Sequence, residues 1–104
     1  KQMIYDIIRK TDFHNSKVLR DAFSYEAINE LFEWYDELSE SCDIEFDPIA
    51  IRCDWTEYDA DDLFEVYGYL LDYDEKQTTD RLMEILESNT TVVILKTTYL
   101  IQAF

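Results

Sequence analysis

The chain contains one glycine, one proline and one histidine in 104 residues. A lone glycine, Gly68, excludes a glycine-rich phosphate loop and argues against a nucleotide-binding enzyme. With Pro48 as the only proline, no flexible linker or low-complexity tract is present. His14, Cys42 and Cys53 are too few ligands for zinc, and the two cysteines fit no metal or redox spacing. One disulfide is the alternative for that pair. The expectation is free, buried thiols in a reducing cytoplasm. No stretch reads as a signal peptide or a membrane-spanning run.

Positive charge is the other shortage. Lys and Arg number 9 against 24 Asp and Glu, for a net charge of −15. A field of that sign repels nucleic acid and anionic membrane, so direct binding to either is not expected. It draws basic partners inward.

What is present suffices for a core. Apolar residues make up 47%, including six Phe, eight Tyr and two Trp, so the acidity does not imply disorder. The length fits one domain spanning 1–104. Its parts are a more basic segment 1–23, an acidic segment 24–75, and a helix with a C-terminal hairpin over 76–104.

Periodicity places the elements. Met3, Ile4, Ile7 and Ile8 suggest a short first helix, and Val18 and Leu19 a second short piece from Ser16 to Ala22. The clearest helix runs from about Tyr25 to Ser41, with Ser24 as N-cap and Phe23 and Ile28 placed for a hydrophobic staple. Ile28, Leu31, Phe32, Tyr35, Leu38 and Cys42 form its apolar face. After Asp47-Pro48, the alternation of Ile49, Ile51, Cys53 and Trp55 predicts a half-buried strand. Asp59 caps a second strong helix whose predicted buried face is Leu63, Phe64, Val66, Tyr67, Leu70 and Leu71. Thr78 or Thr79 opens another, built on Leu82, Met83, Ile85 and Leu86. Two β-branched strands follow, about Thr91–Leu95 and Thr98–Ala103, joined by Lys96-Thr97 without the glycine that a tight primed turn favours. The predicted fold is α+β, about three to four helices packed on a three-stranded antiparallel sheet.

The acidity is positioned. Between Ser24 and Glu75 lie 18 acidic residues and one basic, Arg52, a net charge of −17, whereas the flanks nearly cancel. Solvated helices ordinarily mix signs, because Glu and Lys four apart stabilise each other by about 0.2–0.5 kcal/mol. On the long helix Glu26, Glu30, Glu33, Glu37 and Glu40 fall in a stripe about 80° wide, opposite the apolar face. They span roughly 21 Å, about one carboxylate per 5 Å. Asp61, Glu65 and Asp72 are expected on the outer face of the second strong helix. Tyr58, Tyr69 and Tyr73 are interleaved with the acids there, either as contact residues or at the core margin. Such a charge density approaches that of a nucleic-acid strand and suits a groove lined with Lys and Arg. The predicted partner-binding set is therefore Glu26, Glu30, Glu33, Glu37, Glu40, Asp61, Glu65, Asp72, Tyr69 and Tyr73.

Catalysis has little support. Carboxylate pairs are so abundant that none is informative, which leaves a small hydrolase as a third and weakest reading. His14 reads as a surface loop residue. Neither Asp72, Asp74 and Glu75 nor Asp54, Glu57 and Asp59 has the calcium-loop pattern. No enzyme activity, metal or cofactor is expected.

The strings FSYEAINELFE (23–33), DIEFDPIAIRCDWTEY (43–58) and YLIQAF (99–104) resemble small acidic proteins encoded by bacteriophages, prophages and plasmids. The likeness covers roughly 23–104 and transfers no catalytic residue. It implies a bacterial host cytoplasm and a role against host defence, as in anti-CRISPR or anti-restriction proteins. Combined with the charge, it predicts an inhibitor that mimics DNA toward a Cas effector or restriction enzyme. The alternative is a non-enzymatic acidic adaptor that binds another host or phage protein without mimicry.

Overall fold

The computed structural model describes residues 10–41, 44–74 and 77–104. Among them are six α-helices and one three-stranded antiparallel sheet, an α+β architecture. The helix anticipated over residues 3–8 lies outside the described residues. The chain divides into two compact units, Lys1–Asp54 and Trp55–Phe104, so the acidic segment 24–75 contributes to both.

The first unit is helical. α1 (Lys10–Asn15) and α2 (Lys17–Ala22) are separated by Ser16, whose hydroxyl accepts from the Leu19 N–H and caps α2. α3 (Tyr25–Ser39) starts as the sequence predicts, with the Ser24 hydroxyl accepting from the Ala27 N–H at 3.2 Å. Phe23 and Ile28, the staple positions, are both buried. The core gathers Phe13, Leu19, Phe23, Ala27, Ile28, Leu31 and Ile51. Phe13 is its aromatic centre, edge-on to Phe32 at 5.5 Å and tilted against Phe46 at 4.9 Å.

The strand predicted to begin at Ile49 is instead α4 (Pro48–Asp54). The Asp47 carboxylate accepts from the Ala50 N–H at 3.1 Å, and its carbonyl accepts from the Ile51 N–H. Pro48 occupies the first helical position, where its fixed φ suits a helix and its missing N–H costs nothing. Asp-Pro is thus a helix start here, and the apparent period of two is accidental: Ile51 is buried while Ile49 is exposed. Cys53 follows the same correction. It lies on the outer side of a helix as a free, exposed thiol, not inside a strand. Cys42 lies outside the described residues.

The second unit carries the sheet. Its strands are β1 (Trp55–Tyr58), β2 (Val92–Ile94) and β3 (Tyr99–Gln102), ordered β1-β3-β2. β3 is central and antiparallel to both neighbours, pairing Thr56 with Ile101 and Val92 with Ile101. α5 (Ala60–Tyr67) leads into a 3₁₀ turn (Gly68–Leu70), and α6 (Thr79–Asn89) runs into β2. Leu63, Leu71, Leu82, Met83, Leu86 and Ile101 form the core between these helices and one face of the sheet. Alternation puts Leu100 and Trp55 on the other face, and both are buried. Residues 95–98 connect β2 to β3, and the Leu95 N–H donates to the Thr98 carbonyl at 2.9 Å, which leaves Lys96 and Thr97 as a two-residue link between that bonded pair. No described residue has a positive φ, so this two-residue link is not a primed turn.

Candidate acidic interface

The stripe on α3 exists as a surface. Glu30, Glu33, Glu37 and Glu40 are exposed and Glu26 is half-buried, while Ala27, Ile28 and Leu31 face the core. Glu40 caps the helix in helical conformation, so it continues the same spiral. The spacing of about 5 Å compares with ~3.4 Å of axis per phosphate along one DNA strand.

The two ends of the stripe differ energetically. Glu26 sits in the first turn, where the positive end of the helix dipole favours a carboxylate. Asp36, Glu37 and Glu40 sit at the opposite end, where no basic residue occupies the last turn. Each carboxylate there costs about 0.3–1 kcal/mol by the same dipole. Folding therefore does not explain the acids at the helix C-terminus. Beside them Trp34, Glu37, Leu38, Glu40 and Ser41 line a shallow groove, with two half-buried apolar side chains and two exposed carboxylates. Trp34 is held edge-on to Tyr35 at 4.8 Å.

α1 runs along one side of the stripe, a neighbour the sequence did not reveal. The Lys10 ammonium lies 3.7 Å from the Glu33 carboxylate. His14 is on this helix rather than in a surface loop. Its Nε2 is 2.7 Å from Asn29 Oδ1, and its ring stacks on Tyr25 at 4.3 Å. On α2, Lys17 pairs with Asp21 one turn along at 2.7 Å. That hydrogen bond and the lysine's charge hold the Asp21 carboxyl below its ordinary pKa.

In the second unit the predicted residues split by role. Asp59 is the N-cap of α5, accepting from the Asp62 N–H at 2.8 Å. Asp61 and Asp62 occupy the first turn, where the dipole favours them. Glu65 is exposed on the outer face of α5 with Asp61, four residues before it. Asp72 is exposed but is not on that helix: α5 ends at Tyr67 and the 3₁₀ turn redirects the chain first. Val66, expected in the core, is 44% exposed. It lies about 60° around the helix from Leu63, on the flank of the face that packs.

The tyrosines separate in the same way. Tyr69 is 77% exposed and Tyr73 fully exposed, close in sequence to Glu65, Val66 and Asp72. Tyr58 is half-buried and edge-on to Tyr67 at 5.6 Å, with Phe104 stacked on the same Tyr67 ring at 5.7 Å. Burial, followed by the hydrogen bond with Tyr58, pushes the Tyr67 hydroxyl up to about 12. Tyr58 therefore belongs to the core margin, and Tyr69 and Tyr73 to the surface.

Thus α3 brings its five glutamates together, and the stretch from Asp61 to Tyr73 presents its own acidic and aromatic surface. On β1, the Glu57 carboxylate accepts from the Thr98 hydroxyl. Among the described residues, no group of three or more His, Cys, Asp or Glu converges as a metal site. No described helix is long and apolar enough to cross a membrane. No protein-family model, curated protein or solved structure matches the chain.

Proposed function

We propose that this protein inhibits a bacterial DNA-binding defence complex, a Cas effector or a restriction enzyme, as an acidic mimic of DNA. α3 enters a groove lined with Lys and Arg and excludes nucleic acid by occupancy and charge. The observation that carries this reading is the run of exposed glutamates along one face of α3, maintained into the last turn against the helix dipole. The likeness to phage and plasmid proteins supplies the bacterial context. The surface around Glu65, Tyr69, Asp72 and Tyr73 adds tyrosine faces and carboxylates, both of which suit guanidinium groups.

The test is capture of the partner from bacterial lysate, followed by competition with duplex DNA and a salt series. DNA competes the partner off, and affinity falls steeply with salt, as it does for the DNA contacts replaced. Substituting Glu30, Glu33 and Glu37 together by Lys abolishes inhibition of DNA binding and cleavage while far-UV circular dichroism stays unchanged. Normal inhibition by the folded triple variant sinks the mimicry.

The exposure of Tyr69 and Tyr73 favours a second reading, a non-enzymatic adaptor that grips its partner through aromatic contacts. Tyr69→Ala with Tyr73→Ala then eliminates binding, the α3 triple variant leaves it intact, and DNA does not compete.

A further inference from the structure

We propose that β2 is the seam of a two-fold homodimer, in which the β2 strands of two copies pair antiparallel into one six-stranded sheet. The order β1-β3-β2 leaves two edges, and edge strands offer unpaired backbone groups to another chain unless they are blunted. β1 is blunted by charge: it contains Glu57 and is flanked by Asp54 and Asp59. β2 is not. From Ser88 to Phe104 there is no acidic residue, in a chain that otherwise carries 24 of them. A second copy, itself at −15, meets the least repulsion at this edge.

The backbone register makes the edge self-complementary. The Gln102 N–H donates to the Thr91 carbonyl, and the Leu95 N–H donates to the Thr98 carbonyl. Hydrogen-bonded pairs alternate in an antiparallel ladder, so residues 91, 93 and 95 turn their backbone groups toward β3. Val92 and Ile94 turn theirs outward, where no described strand pairs with them. A two-fold axis at Val93 sets Val92 of one copy opposite Ile94 of the other, and each such pair exchanges two hydrogen bonds. Paired residues share a face of the sheet. Ile94, 60% exposed, thereby gains an apolar neighbour in the second copy's Val92, which is half-buried against the core.

Sedimentation velocity on the full chain tests this. At ~0.5 mM protein, where contacts of modest affinity populate, the wild type shows a species of twice the 12.5 kDa chain mass. Raising salt from ~0.05 to ~0.5 M screens the mutual repulsion and increases that species several-fold. A basic partner's binding changes in the opposite direction. Ile94→Pro removes an outward N–H, and Ile94→Glu puts charge on the seam at an exposed position. Each returns the chain to monomer with an unchanged circular dichroism spectrum. If Ile94→Pro disturbs folding, Ile94→Glu decides. A wild type that is monomeric at every concentration and salt overturns the proposal. So does a folded Ile94→Glu variant that still dimerises like the wild type.

Discussion

Lys10 on α1 and Glu33 on α3 form an ion pair at 3.7 Å, with the two side chains 50% and 60% exposed. It sets one cation beside the middle of the acidic stripe. Exposed pairs contribute about 0–1 kcal/mol to stability, but a partner's lysine or arginine must displace Lys10 to reach Glu33. Lys10→Met therefore strengthens binding to the captured partner by about 2–5-fold, a gain of under ~1 kcal/mol. Calorimetric titration measures it, and thermal unfolding shows little change.

The acids at the C-terminal end of α3 are predicted to oppose stability. Glu37→Gln and Glu40→Gln each raise unfolding free energy by about 0.3–1 kcal/mol at low ionic strength, and the gain shrinks with salt. Partner affinity falls in the same variants. Urea titrations at two salt concentrations, alongside binding measurements, show whether the two effects run in opposite directions.

Tyr67 gives the second unit an alkaline limit. Its folded pKa of about 12 stands above the ordinary 10.0. Between those values the unfolded chain has released a proton that the folded chain retains. The stabilisation is complete below about pH 10 and is lost as pH rises through about 12. An ultraviolet titration of tyrosinate shows a late-ionising phase, and Tyr67→Phe removes it.

Phe13 is predicted to anchor the first unit. It is buried between α1, α3 and the segment containing Phe46. Phe13→Ala costs about 3–5 kcal/mol. Denaturant unfolding measures the loss, and the Lys10–Glu33 pair disappears with the docking of α1.

Local signals in the sequence located much of this structure. Ser24, Asp59 and Thr78 each cap the helix that their position implied, because a hydroxyl or carboxylate one residue before an apolar period reports a nearby geometry. The glutamate stripe follows from the 3.6-residue period alone. Asp47-Pro48 was ambiguous, since the same dipeptide breaks one element and starts another. Ile49 and Ile51 then imitated a strand within a seven-residue helix. Lys10 beside Glu33 and His14 beside Asn29 depend on α1 docking against α3, and no local pattern encodes which helix another will meet. Tyr58 and Tyr69 have similar acidic neighbours in sequence. Only the packing of β1 against Tyr67 separates one from the other.

The central position of β3 has a consequence for synthesis. β1 and β2 both precede the strand that joins them. At ~5–20 residues per second, about 2–8 s separate the emergence of Tyr58 from that of Tyr99, its partner. Throughout that interval β1 is an unpaired strand headed by Trp55 on a nascent chain. It waits inside the most negatively charged stretch of the sequence. Repulsion between neighbouring nascent chains then guards the exposed strand against aggregation until the ribosome delivers its mate.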